Sequence, residues 1–399
     1  MIVKNGLIVT EKEALKGKAV IIKGGVIAGI ADENTAAGCD GPVIDAGGGY
    51  ILPGFIDIHT HGGNGSDVMD ASENGYKIMS RFHASRGVTS IVATTLTAPI
   101  EQITQVLDAL RHVVGRNLGG ANILGAHLEG PFLDLNNKGA HPARFLTVPT
   151  EERVNALLAY KDVIRSVTIA PNIENAICAI RRFSENGIVV SGGHDSSVDS
   201  EILDAVNAGM SHTTHIYCVM SGISKRNNTK YLGLTEMAMY LDSLSVEAIA
   251  DGKHISPIMV SFLHKIKGAE KMCIVSDCLK IAGLPEGGAQ YTVGAGPAGD
   301  GIKVIISDGV AMLPDKSLNA GSIQTLDCML KNITGASKIP LVDAVRMVSL
   351  TPAEIIRADD KKGSICVGKD ADICVMDKDL NVLYTVIEGN LFEPFDGFS

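Results

Sequence analysis

The 399-residue chain has no stretch of 18 consecutive apolar residues, which leaves no candidate for a membrane-spanning helix. It also lacks any CxxC pair, and its eight cysteines, at 39, 178, 218, 273, 278, 328, 366 and 374, show no disulfide spacing. They read as free thiols in a reducing compartment. There is no run of lysine or arginine, and the formal net charge is -10, so the electrostatic footprint of a nucleic-acid binder is missing. A locally basic pocket for an acidic small molecule stays open. The first residues, Met1-Ile2-Val3-Lys4-Asn5-Gly6-Leu7, lack the basic segment, apolar segment and cleavage site of a secretory signal. These absences predict a cytoplasmic protein with neither a nucleic-acid nor a membrane partner.

What is present reads as a large globular core: 45% of residues are apolar and 20% charged. The length suits one barrel of roughly 250 residues with an accessory unit. At the start, Ile2-Val3, Leu7–Val9, Ala19–Ile22 and Val26–Ala28 read as short strands in antiparallel hairpins. The end repeats that texture in Gly363–Ile365, Asp372–Met376 and Val382–Gly389. Between them, eight β-branched apolar runs alternate with helical stretches. The runs are Phe55–His61, Thr89–Thr95, Ile123–Glu129, Ser166–Pro171, Ile188–His194, His212–Tyr217, Glu247–Asp251 and Met272–Asp277. Helical stretches include Glu101–Arg111, Glu151–Tyr160, Asn175–Asn186 and Ser200–Ala208. This alternation predicts an α/β fold, a (β/α)8 TIM-like barrel over 53–355. A small β-sandwich domain built from both termini, 1–52 and 356–399, is expected beside it. A doubly wound open sheet would alternate in the same way.

The ends of the eight runs carry His59, His61, Glu129, His194, His215 and Asp277. In a barrel enzyme that end holds the chemistry. His59 and His61 are two apart on a strand and share a face, so both can bind one ion. Glu129 closes a buried strand just before Gly130-Pro131, where a carboxylate must be paired, hydrated or bound to a cation. His127, one layer deeper on the same face, reads as a core histidine. His194 and His215 could each be core histidines if taken alone, and Glu129 a capping residue. Five nitrogen and oxygen ligands on four strand ends favour a metal instead. Imidazole with carboxylate suits zinc or iron(II). Asp277, ending the eighth run, can face such an ion.

With these residues in view, the chain resembles the amidohydrolase superfamily, and within it the N-acetylglucosamine-6-phosphate deacetylase family. The matching motifs include Pro53-Gly54-Phe55-Ile56-Asp57-Ile58-His59, Leu128-Glu129-Gly130-Pro131-Phe132 and Lys138-Gly139-Ala140-His141-Pro142. Others are Gly193-His194, Thr214-His215, Ile249-Ala250-Asp251-Gly252-Lys253-His254, Ser276-Asp277, Ala320-Gly321-Ser322 and Gly368-Lys369-Asp370-Ala371-Asp372. The likeness runs from Lys4 to Gly389. It implies that Glu129, His194 and His215 hold the principal divalent ion and that His59 and His61 support a second, so one or two ions per subunit. No lysine ends the fourth run, Ser166–Asn172, and Glu129 would take the bridging role that a carboxylated lysine fills in many superfamily members. The resemblance further implies Asp277 as general base and acid, His141 at the acyl oxygen and His254 at the sugar. Ala140, Cys218, Val219, Arg226, Asn319 and Ala320 would complete the substrate site. A homodimer acting on a small amino-sugar substrate is implied as well.

Three departures fall in the sugar-phosphate half. The family's His-x-Tyr/Phe-Asn-Ala-Met is His215-Ile216-Tyr217-Cys218-Val219-Met220 here, so Cys218 replaces an asparagine. Arg226 stands at the spacing of the phosphate-binding arginine, but Asn227-Asn228-Thr229-Lys230 interrupts the usual motif. Asn319 replaces the leucine before Ala320-Gly321-Ser322. The leading expectation is hydrolysis of the acetamide of N-acetylglucosamine-6-phosphate. A deacylase for a different or unphosphorylated N-acyl compound is the alternative. A non-enzymatic scaffold on the same barrel should have lost ligands, and this chain has not.

Overall fold

A computed structural model describes residues 1–36, 41–286, 289–296 and 301–393. Cys39 and the last six positions of the expected terminal unit lie outside these residues. Eight parallel strands form one sheet, labelled here in chain order: β1 Phe55–Thr60, β2 Val88–Thr95, β3 Asn122–Glu129, β4 Ile164–Ile169, β5 Val189–Gly192, β6 Met210–Thr213, β7 Ser245–Ala248 and β8 Met272–Ile274. Each strand pairs with the next. The sheet closes where Asp277 N donates to His59 O at 2.9 Å and His61 N donates to Cys278 O at 2.8 Å. All eight strands overlap the apolar runs, although β6, β7 and β8 end four, three and three residues before theirs, and closure removes the open-sheet alternative.

A helix follows each strand: α1 Glu73–Ala84, α2 Ile100–Arg111, α3 Glu151–Leu158, α4 Ala176–Glu185, α5 Asp199–Asn207, α6 Leu234–Tyr240, α7 Pro257–Lys271 and α8 Leu326–Gly335. Each has a local cause. Ser72 caps α1 by accepting from Gly75 N, Thr150 caps α3 by accepting from Arg153 N, and Pro257 sits in the first turn of α7. In α4, Ala176, Ala179, Ile180 and Phe183 recur at helical spacing and are buried. Strands covered on both faces explain why β2 is buried at all eight positions. None of the helices among the described residues is long and apolar enough to cross a membrane.

The termini build two further sheets. One orders Val26–Asp32, Lys18–Lys23, Ile2–Lys4 and Val43–Asp45; the other orders Asn390–Leu391, Val382–Ile387, Ile373–Met376, Tyr50–Pro53, Leu7–Val9 and Ala14–Leu15. Val3, Val20 and Ile44 from the first share a buried cluster with Ile8, Ile51 and Val375 from the second. The expected hairpins are only partly present. Lys18–Lys23 and Val26–Asp32 pair antiparallel, but Ile2–Lys4 and Leu7–Val9 enter different sheets and each gains a parallel partner. Asn5, at φ 58°, makes the turn that carries the chain from one sheet to the other. Gly363–Ile365 is not a strand; Gly363, at φ 84°, lies in a bend against Ser349 and Leu350.

One unit was not foreseen. Gln290–Val293, Ile302–Ser307 and Val310–Met312 form a three-stranded antiparallel sheet after β8. It stands over the open end of the barrel, because Val293, Ile302 and Met312 line the cavity there.

Candidate metal centre and substrate cavity

The cavity at the carboxyl ends of the strands has a volume of about 310 Å³. Glu129 is its centre. Its Oε1 lies 2.9 Å from His215 Nε2, 3.2 Å from His194 Nε2 and 3.6 Å from His59 Nε2. Its Oε2 lies 3.2 Å from His61 Nε2 and 3.3 Å from His141 Nε2. Asp277 Oδ1 closes the ring at 3.1 Å from His61 Nε2 and 3.6 Å from His59 Nε2. Seven residues predicted to be ligands or catalytic groups therefore converge, from the ends of five strands and the loop after β3.

His61 and His194 present Nε2 inward because their other nitrogens are engaged behind. His61 Nδ1 is 3.1 Å from Thr94 O, and His194 Nδ1 is 3.0 Å from Asn137 O. A carbonyl can only accept, so those Nδ1 atoms carry a proton, and Nε2 is the atom left to meet a cation. The turns that carry the side chains are strained. His194, His215 and Asp277 have φ of 49°, 27° and 48°, a region non-glycine residues seldom occupy and one that concentrates at functional sites.

Burial works against every charge in this cluster. It would raise the Glu129 carboxyl, yet His59 and His141 beside it outweigh burial and hold it well below the usual carboxylate range. Burial opposes the charge of His61, but bonds to Asp277 and Glu129 raise it to about 9. Burial brings His194 down to about 4 despite its Glu129 partner. Burial would raise Asp277 as well, and the His61 bond with the His59 charge holds it low. The arrangement fits a divalent ion. His194 Nε2 and His215 Nε2 are 3.2 Å apart on one carboxylate oxygen, and the buried His59 Nε2 has no hydrogen-bond partner. Two groups, His59-His61-Glu129 and Glu129-His141-His194, have ligand atoms close enough to share an ion. The triangle of Glu129, His194 and His215, with every side at or below 3.2 Å, is at least as tight.

Ala140, Cys218, Val219, His254, Asn319 and Ala320 line the same cavity. Asp251 folds its loop, accepting from Lys253 N and His254 N, and holds His254 Nδ1 at 2.7 Å. Ala320 N donates to Ala311 O and Ser322 N to Asp277 O, which ties the Ala-Gly-Ser segment to the centre. Burial, with Asp277 and Asp251 nearby, pushes the Cys218 thiol up to about 12.

Arg226 is not among the lining residues. It sits on a surface hairpin, Ser224–Arg226 against Thr229–Tyr231, with its side chain 45% exposed. There it donates to Ser196 O at 2.8 Å and lies 3.5 Å from Glu201. His127 is a core histidine: its Nε2 is 2.7 Å from Thr168 Oγ1, and burial lowers it to about 3. The seven described cysteines are free thiols.

Sequence reasoning missed Leu96, Val293, Ile302, Met312 and Leu318, which with Ile249 give the cavity an apolar wall. No motif marks them. It also passed over Glu247, which stands behind His59.

Imidazoles gathered round one carboxylate at the carboxyl end of a closed β/α barrel define a class of metal-dependent hydrolases. This chain belongs to the amidohydrolase family, whose model matches residues 50–392. It is 35% identical over 342 residues to an N-acetylglucosamine-6-phosphate deacetylase of Vibrio furnissii, covering 86% of this chain and 82% of that one. It is 32% identical over 343 residues to an N-acetylgalactosamine-6-phosphate deacetylase of Escherichia coli O157:H7, covering 86% and 87%. The crystal structure of N-acetylglucosamine-6-phosphate deacetylase from Pasteurella multocida superposes with a TM-score of 0.88 at 29% identity, covering 98% of each chain. The chain is therefore a hydrolase, and the scaffold reading falls.

Proposed function

We propose that this enzyme hydrolyses the acetamide of an N-acetylated amino sugar phosphate, N-acetylglucosamine-6-phosphate, to glucosamine-6-phosphate and acetate. The observation that carries the reading is Asp277 and His141 lining one cavity over the Glu129-centred imidazole cluster. Glu129, His194 and His215 would hold the principal ion, His59 and His61 a second, with zinc or iron(II) suited to these donors. A divalent ion there would acidify water and polarise the amide carbonyl.

The chain's own groups do the rest. Asp277 accepts the proton of the attacking water and returns it to the leaving amine. Thr97 N–H points at His141 Nδ1 at 3.4 Å, which leaves the proton on Nε2 to donate to the carbonyl oxygen as negative charge develops. His254, held by Asp251, orients the sugar, with Ala140, Val219, Asn319 and Ala320 around it. The barrel, 53–355, carries these groups, and 1–52 with 356–399 form the accessory sandwich in this reading. Free thiols support action in the cytoplasm. The homodimer belongs to the proposal too, and exposed Ile258, Phe262 and Ile266 along α7 are the surface to examine by sedimentation.

A second reading has its own support. Among the described residues, no lysine or arginine lines the cavity. A dianion must be met by a cation, and Arg226, the candidate with Lys225 and Lys230, lies on the outer hairpin. A deacylase for an unphosphorylated or different N-acyl compound needs no such group. Acetate release from a panel of N-acetylhexosamines and their 6-phosphates separates the two. Preference for a 6-phosphate supports the first reading; preference for the free sugar installs the second.

A further inference from the structure

Glu247 belongs to β7, yet its side chain lies wholly inside the barrel, 2% exposed. A carboxylate buried so deeply must be fully partnered. Oε2 is 2.9 Å from His59 Nδ1 and accepts the backbone N–H of His215 at 3.1 Å. Oε1 is 3.2 Å from His212 Nε2, whose Nδ1 is 2.7 Å from Ser245 Oγ. One side chain thus braces a residue from each half of the metal centre, reaching from β7 to the end of β1 and to the turn after β6.

The four imidazoles read as metal ligands are not braced alike. His61 and His194 have neutral backbone carbonyls behind them. His215 Nδ1 has no hydrogen-bond partner. Of these four, His59 alone has a carboxylate at its back, and its buried Nε2 lies 3.6 Å from both Glu129 and Asp277 without a hydrogen bond. A carboxylate behind a histidine fixes the ring and makes its free nitrogen a stronger donor. We infer that Glu247 is a positioning residue that makes His59 the most strongly donating imidazole of the cluster, and so sets how tightly the His59-His61 ion is held relative to the Glu129-His194-His215 ion. The inference rests on the proposed metal reading. Glu247 touches no substrate.

The test is metal affinity, read separately from activity. Apo-protein is titrated with Co(II) against a chromophoric chelator, and the visible spectrum of each bound ion is recorded with the melting temperature. Wild type should bind two ions. Glu247→Gln, which keeps the shape and removes the charge, should weaken one of them by about 10- to 100-fold. That ion should be the one also lost in His59→Ala. The other ion should keep its affinity and spectrum, and the melting temperature should stay near that of wild type. Glu247→Asp, which keeps the charge on a shorter arm, should fall between the two and serves if the glutamine variant does not fold. Unchanged affinities in both variants overturn the inference, as does equal weakening of both ions with a fall in melting temperature, the mark of a merely structural role. A wild type that binds one ion overturns it while sparing the metal reading. A wild type that binds none removes both.

Discussion

On the floor of the cavity, the candidate metal ligands and Asp277 stand at the ends of barrel strands, and His59, His61 and His194 are tied behind to a carboxylate or to backbone. The wall opposite is built from the Gln290–Met312 sheet, the segment through Asn319 and Ala320, and the turn holding Cys218 and Val219. Floor positions are set by closure of the barrel, so a change there alters the chemistry. Wall positions are set by loops and a small sheet, which can change residues without disturbing the strands. The three departures from the family motifs, at Cys218, the Arg226 hairpin and Asn319, all fall on the wall side or beyond it.

The largest effect expected on the floor is loss of the ion. Glu129→Ala, His194→Ala and His215→Ala should each lose metal and turnover together, as read by elemental analysis and acetate release. Full metal content in any two of them would remove the ligand assignment. Next is Asp277→Asn, which should keep fold and metal but lose about 10³-fold or more in kcat with little change in KM, since only proton transfer is removed. Turnover near wild type would move the proton-transfer role elsewhere.

These floor residues were legible in the sequence because strand ends impose a pattern. The His59-x-His61 spacing follows from strand pleat, and Glu129 precedes a Gly-Pro that ends its strand. The wall was not legible. Val293, Ile302 and Met312 are ordinary apolar residues of short strands, and their neighbourhood depends on how the sheet folds back over the barrel. Glu247 escaped for a related reason. It was read as the start of a strand, and its partners come from elsewhere in the chain, His212 and His215 through the pairing of β6 with β7 and His59 through closure of the barrel. Arg226 shows the limit of spacing, which matched the family's arginine without saying which surface the side chain would reach.

The wall predictions are smaller and selective. On the 6-phosphate reading, with Arg226 as its cation, Arg226→Ala should lower kcat/KM for the 6-phosphate by about 10- to 150-fold, one charge-assisted contact, and leave the unphosphorylated sugar nearly unchanged. Equal losses on both substrates would detach Arg226 from the phosphate. Cys218→Asn, which restores the family's amide, should improve the 6-phosphate by about 2- to 10-fold, one neutral hydrogen bond, with the metal content unchanged. A gain on the free sugar instead would place Cys218 against another part of the substrate.

The division between floor and wall rests on an ion held between Glu129, His194 and His215. Anomalous diffraction from crystals of fully active protein, collected on both sides of the zinc and iron edges, tests this directly. A peak at about 2.0–2.2 Å from a Glu129 carboxylate oxygen and from both Nε2 atoms is the expected result. An active crystal with no anomalous peak anywhere in the cavity would contradict it.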